Sequence, residues 1–435
     1  MRQLFKGAMV ISCADQSQNR RSDMRVHQGR IVEIGPELSV ADEVVHDLSG
    51  RWLLPGFIQS HVHLCQTLFR GMAENRVLLD WLGERIWPLE AAHDEQSTYL
   101  SARLGIAEML LCGTTAFLDM GSLRHTSASF LACEEAGVRA TSGRSLMDRE
   151  NPAGLHASHE ENLRGACDEA DRWHKKGRLR YAFAPRFVPS CSEGLLRDTL
   201  VEARNRGSLI HTHASENTSE IQLVRQLTGE ENIVYFEQIG MLGPDVALAH
   251  CIHLSDREMT LLSETGTRVL HCPSSNMKLA SGIAPVPELI KKGVHVSIGA
   301  DGAPCNNRLD PFSEMRKVGL LQSLRLGPGH IEPSTILQMM TLKGAEALGI
   351  DSEVGSLEPG KHADFLVINP DHPALIGDSD PVHQLVYAAG PEHIESVYIS
   401  GERKVHQGAL ENWGPELDYG ELRKAARRVQ QVAGL

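Results

Sequence analysis

The sequence predicts an α/β fold: a (β/α)8 TIM-type barrel with a small β-sandwich domain built from both termini. Three observations predict it. Eight short β-rich runs alternate with amphipathic helical runs through the middle of the chain. Glycine-punctuated strand patterns of one texture stand at both ends. Histidines and acids collect at the C-terminal ends of the β-rich runs, the barrel face where side chains remote in sequence converge. The implied organisation is 1–55 as the N-terminal part of the β-sandwich domain, 56–352 as the barrel, and 353–435 as its C-terminal part with a terminal helix.

The elements follow in order. Residues 7–12 and 24–35 alternate in hydrophobicity and read as small antiparallel strands. The stretch 53–66, LLPGFIQSHVHLCQ, ends an apolar run in Pro55-Gly56 and opens the first barrel strand, which carries His61 and His63. Side chains two apart on a strand share a face, so this pair aims two imidazoles at one point. The further β-rich runs are 113–119, 139–144, 179–186, 208–213, 246–250, 267–271 and 294–301. Among the helical runs, one opens with Ser255-Asp256-Arg257-Glu258, a capping-box pattern ahead of Met259, Leu261 and Leu262. The texture of the N-terminus returns at 355–368 and 397–401, and the charged tail after Glu411 reads as a surface helix.

Composition excludes several classes. With a formal charge of -13 and a pI near 5.9, a nucleic-acid backbone or an anionic membrane is a poor partner. No apolar run approaches the roughly 20 residues of a membrane helix. Nine cysteines, odd in number and without a C-x-x-C pair, read as reduced thiols of a cytoplasmic protein. The partner expected is a small molecule.

The chemistry lies in where the ionisable residues fall. Alone, an H-x-H pair is more often a surface or hydrogen-bonded feature than a metal site. Here His61, His63, His213, His250 and Asp301 all stand at or just past strand ends. Three histidines and a carboxylate with one open position make a mononuclear catalytic metal site, at which the pKa of a bound water falls from about 15.7 to roughly 7. Glu216, three residues after His213, is placed either as a proton carrier beside such a site or as a charge in the first turn of the next helix.

The motifs HVH after LPGF, then HTHASE, LAHCIH, HCPSSNMKLASG, GADGAPCNN and GSLEPGKHADFLVI resemble the amidohydrolase superfamily along essentially the whole chain. The branch is that of the cytosine, guanine and adenosine-type deaminases and triazine hydrolases, with the 5'-deoxyadenosine and methylthioadenosine type nearest. The resemblance implies that His61, His63, His213 and Asp301 hold one divalent metal, zinc or in some members iron. It makes Glu216 the proton shuttle and gives His250 the attacking water and the developing oxygen, with Asp301 accepting a proton as well. No lysine ends the fourth strand, so one metal is expected. His211 and His253 read as structural, His271 as structural or pocket-lining, and Cys65, Cys251, Cys272 and Cys305 as packing residues.

Four residues bear on the substrate by the same resemblance. Glu90 stands where adenosine-type deaminases use a carboxylate on ribose hydroxyls. Gln66 stands where guanine deaminases read the base edge with an amide. Arg186, in PRF, is similar to a guanine deaminase segment, where adenosylhomocysteine deaminases place a histidine. Arg144 matches one of the two arginines those enzymes put on the amino-acid tail, while Ser158 stands at the other. The reading is a hydrolytic deaminase of an adenosine-type nucleoside. Alternatives are a free-base deaminase acting on guanine or a pterin, an aminotriazine hydrolase and, last, a non-catalytic relative. The branch leaves a homo-oligomer open.

Overall fold

The computed structural model describes residues 2–14, 19–151, 153–377 and 379–435. The chain divides into two compact units, one of residues 1–60, 107–116 and 310–414, the other of 61–106, 117–309 and 415–435.

The first unit carries a nine-stranded sheet drawn from both ends of the chain. Arg2–Val10 pairs antiparallel with Arg20–His27, which turns through Gln28 and Gly29, both at positive φ, into Arg30–Gly35. Trp52–Pro55 pairs parallel with the first of these and antiparallel with Phe365–Ile368. It thereby joins the N-terminal strands to Ile394–Ile399 and Glu402–His406. The core is aromatic at its centre: Phe365 stacks on Tyr398 at 4.5 Å, and Phe5 meets both edge-on.

The second sheet is the barrel. In path order its strands are Phe57–His63, Thr114–Met120, Arg139–Gly143, Leu179–Pro185, Leu209–Ala214, Val246–His250, Arg268–His271 and a last strand split into Val296–Ile298 and Asp301–Gly302. The strand-three run resumes as Ser145–Leu146, beside strand four. The two halves of strand eight explain closure. Its first half pairs with strand seven and its second half with strand one, all in parallel, so the path returns to its start. Gly299, at the break, makes that return sterically feasible. A Cβ there would stand 2.6 Å from the backbone N and O of His61. Strand one is buried throughout, as expected of a parallel strand covered on both faces.

Helices follow strands as the sequence pattern predicts. The Ser255 hydroxyl accepts the Glu258 amide and the Glu258 carboxylate accepts the Ser255 amide, starting Asp256–Thr265. Ser158 builds the same reciprocal cap on His159–Trp173 with Glu161, which gives this serine a local role. The terminal helix, Tyr419–Val432, groups with the second unit. Leu422 and Val429, one face apart by two turns, pack with Leu68, Phe69, Leu89 and Leu100.

Candidate active site

At the C-terminal mouth of the barrel, a small cavity of about 30 Å³ is lined by His63, Gln66, Arg186, His213, Glu216, His250 and Asp301. Leu78, Trp81, Leu82, Phe187 and Leu279 close its apolar side. The polar groups come from strands one, four, five, six and eight or the segments just beyond them. The backbone is bent to deliver them: Ser215, His250, Cys251 and Asp301 all hold positive φ, 53°, 74°, 47° and 63°, which costs a non-glycine residue about 1–3 kcal/mol.

His61, His63 and His213 each offer a ring nitrogen within 4.8 Å of the others. Their hydrogen bonds decide which nitrogen that is. His63 Nδ1–H donates to the Met120 carbonyl at 2.8 Å, and His213 Nδ1–H donates to the Arg186 carbonyl at 2.7 Å. Each therefore keeps its Nε2 lone pair free. His61 Nδ1 is 2.7 Å from His211 Nε2, and its own Nε2 is buried without a hydrogen-bond partner among the described residues. Asp301 Oδ1 lies 3.4 Å from Nε2 of both His61 and His63. Orphaned imidazole lone pairs around a buried carboxylate are the donor set a divalent cation fits.

Electrostatics favours the same state. Burial pushes His61 and His213 down and His63 to about 3, so all three rings stay neutral and able to ligate. Burial would raise Asp301, but the imidazoles around it, His61 first and then His250 and His63, hold it well below the carboxylate range. Glu216 is different. Burial, opposed by His250 and reinforced by Asp301, lifts it to about 7. Its Oε2 is 3.4 Å from His250 Nε2, and its Oε1 has no hydrogen-bond partner among the described residues. Burial also works against the His250 charge, and the carboxylates of Glu216 and Asp301 outweigh it, so that ring sits above its ordinary value. Its Nδ1 is held by the Asn276 side-chain oxygen at 2.9 Å, which turns Nε2 toward Glu216 and Asp301.

The predicted substrate residues fare unequally. Gln66 and Arg186 line the cavity. Glu90 is not among the described residues that line it; it lies against Gln66 and Arg186, paired with both. Arg144 is held by Glu169 at 3.1 Å and is also absent from the lining. His253 ties its loop to the Ser281 carbonyl, and His271 is buried outside the lining set. Cys272 has its sulfur within 4.8 Å of ligand atoms of His61 and Asp301. The sequence reading missed Asn276 and Trp81. Asn276 lies in the quoted HCPSSNMKLASG motif, whereas Trp81 carried no signal beyond its size.

Residues 52–404 match the amidohydrolase family, over more than half of the chain. The chain belongs to the amidohydrolase family. This amidohydrolase is 38% identical over 400 residues to a 5'-deoxyadenosine deaminase of Methanothermobacter thermautotrophicus, covering 90% of this chain and 91% of that one. It is 38% identical over 408 residues to a 5-methylthioadenosine/S-adenosylhomocysteine deaminase of Syntrophobacter fumaroxidans, covering 92% of each. Among solved structures, an adenosine deaminase from Xanthomonas campestris with bound zinc superposes with a TM-score of 0.92 at 27% identity, covering 100% of this chain and 99% of that one.

Proposed function

We propose that this amidohydrolase is a metal-dependent hydrolytic deaminase of an adenosine-type nucleoside, such as 5'-deoxyadenosine or methylthioadenosine, releasing ammonia. One observation carries the chemistry: His61, His63 and His213 bring ring nitrogens within 4.8 Å of one another beside the buried Asp301 carboxylate, with the Glu216 carboxyl 3.4 Å from His250 at the same mouth. The named activities of the relatives carry the substrate class.

In this reading His61, His63, His213 and Asp301 hold one divalent cation, and the zinc of the Xanthomonas neighbour makes zinc the first choice. Bound there, the ion supplies a water acidic enough to attack at neutral pH. Glu216 takes the proton of the attacking water and gives it to the ring nitrogen beside the amine-bearing carbon, then protonates the departing amine. A pKa near 7 suits it to both directions of transfer. His250, turned by Asn276, donates from Nε2 toward the developing oxygen. Asp301, ionised at the outset, accepts the second proton of the water and hands it to Glu216, which delivers it to the departing amine and leaves both carboxylates as they began.

An ammonia-release screen across adenosines, guanine, pterins and aminotriazines, with metal content measured on the same samples, tests the reading. Ammonia from adenosine-type nucleosides is expected. Metal-replete protein that releases none from any nucleoside overturns it. A second reading, a free-base deaminase, is favoured by Gln66 and Arg186 both facing the cavity. Preference for guanine or a pterin in the same screen would select it.

A further inference from the structure

We infer that Glu90 is a positioning residue that does not touch the substrate: it is the buried anion that orients Gln66 and Arg186, the two groups that do. The inference rests on the deaminase reading of this cavity and reassigns the residue placed by sequence on ribose hydroxyls.

Three observations carry it. The Glu90 side chain is fully covered, at 0% exposure, and it is not among the described residues that line the cavity. Its carboxylate is already engaged: Oε1 accepts from Gln66 Nε2 at 2.8 Å and from Arg186 Nη2 at 3.1 Å, while Oε2 accepts from Arg186 Nη1 at 2.8 Å. A carboxylate has about four lone-pair sites, so one at most is left, too few for a pair of vicinal hydroxyls.

The third observation concerns Gln66. An amide can present either its oxygen or its nitrogen, but a carboxylate accepts only from a donor. Glu90 therefore fixes Nε2 toward itself and leaves Oε1 as the free end, and that oxygen is buried without a partner among the described residues. Arg186 spends two of its five N–H groups on Glu90, which leaves three, and the residue lines the cavity. The face offered is an amide acceptor beside guanidinium donors. That suits the edge of an amino-heterocycle and not a sugar.

The test is Glu90→Gln, assayed with adenosine and with 2',3'-dideoxyadenosine, alongside metal content. With Gln66 free to flip, KM should rise about 10- to 100-fold, kcat should change far less, and the rise should be the same on both nucleosides. In a Gln66→Ala background, adding Glu90→Gln should raise KM by clearly less than it does in the wild type, since the part of its effect that runs through Gln66 is already gone and only the part through Arg186 remains. A loss seen with adenosine and absent with the dideoxynucleoside overturns the inference, because Glu90 would then read hydroxyls. A loss undiminished in the Gln66→Ala background, or one that tracks lost metal, overturns it as well. If Glu90→Gln does not fold, Glu90→Gln with Arg186→Met leaves no uncompensated buried charge, and its loss, larger because the Arg186 contact goes too, should still be equal on the two nucleosides. Wild-type protein that turns over neither nucleoside overturns the nucleoside reading first, and the inference with it.

Discussion

Replacing Glu216 by glutamine should slow this enzyme and stabilise its fold. The substitution keeps shape and removes only a carboxyl buried at 4% exposure, with one oxygen 3.4 Å from His250. Loss of a positioned proton carrier lowers kcat by about 10²- to 10⁴-fold. Stability moves the other way. A folded-state pKa of about 7 against an ordinary 4.5 means that ionising Glu216 in place costs about 3 kcal/mol, at 1.36 kcal/mol per unit. The sign follows from proton binding. The folded wild type holds its proton more tightly than the unfolded chain, so its stability falls as pH rises from 4.5 to 7 and stays lower above that. Glu216→Gln should thus match wild type near pH 5 and exceed it by about 3 kcal/mol near pH 8. Both are to be measured as chelator-treated protein, because a bound cation adds its own field to that carboxyl. Thermal midpoints at the two pH values and ammonia release from metal-replete samples supply the readouts. Undiminished turnover, or a stability difference independent of pH, would refute the reasoning.

Other outcomes are expected. His211→Phe removes the partner of His61 Nδ1 and should weaken metal binding about 10- to 100-fold, read by competition with a chromophoric chelator. Gly299→Ala forces a Cβ to 2.6 Å from the His61 backbone and should cost about 3 kcal/mol, the upper end of overpacking costs, seen as a lower denaturation midpoint. Stripped protein should regain about 4 kcal/mol of stability when a divalent cation is restored at a thousand times its Kd, and ammonia release should return with it. Arg144→Ala should leave the KM for adenosine within about threefold of wild type, since Arg144 is tied to Glu169 and absent from the cavity wall.

The barrel and its cluster were legible because they rest on short-range periodicity. An H-x-H on a strand needs only the two-residue repeat to aim both rings alike, and a β-rich run ending in His213 or His250 needs only the rule that strand ends face the mouth. What was hidden depends on packing between distant segments. Nothing in the run 294–301 announces that Gly299 interrupts the last strand so that it can pair on both sides. Arg144 matched a motif, yet no spacing rule shows its pairing with Glu169, 25 residues away on a helix. Trp81 stands just before a π-helical turn, Leu82–Ile86, which helps set the face it presents, and no spacing rule anticipates that turn.

Position 186 does two jobs with two different parts of one residue. Its carbonyl oxygen fixes the ring of His213, as the Met120 carbonyl fixes that of His63, while its side chain lines the cavity wall. Carbonyls are common to all amino acids, so a change at residue 186, matched at Glu90, can rewrite that wall and leave the imidazole tautomers as they are. A lineage built this way can explore new molecules to act on without first dismantling the chemistry that acts on them.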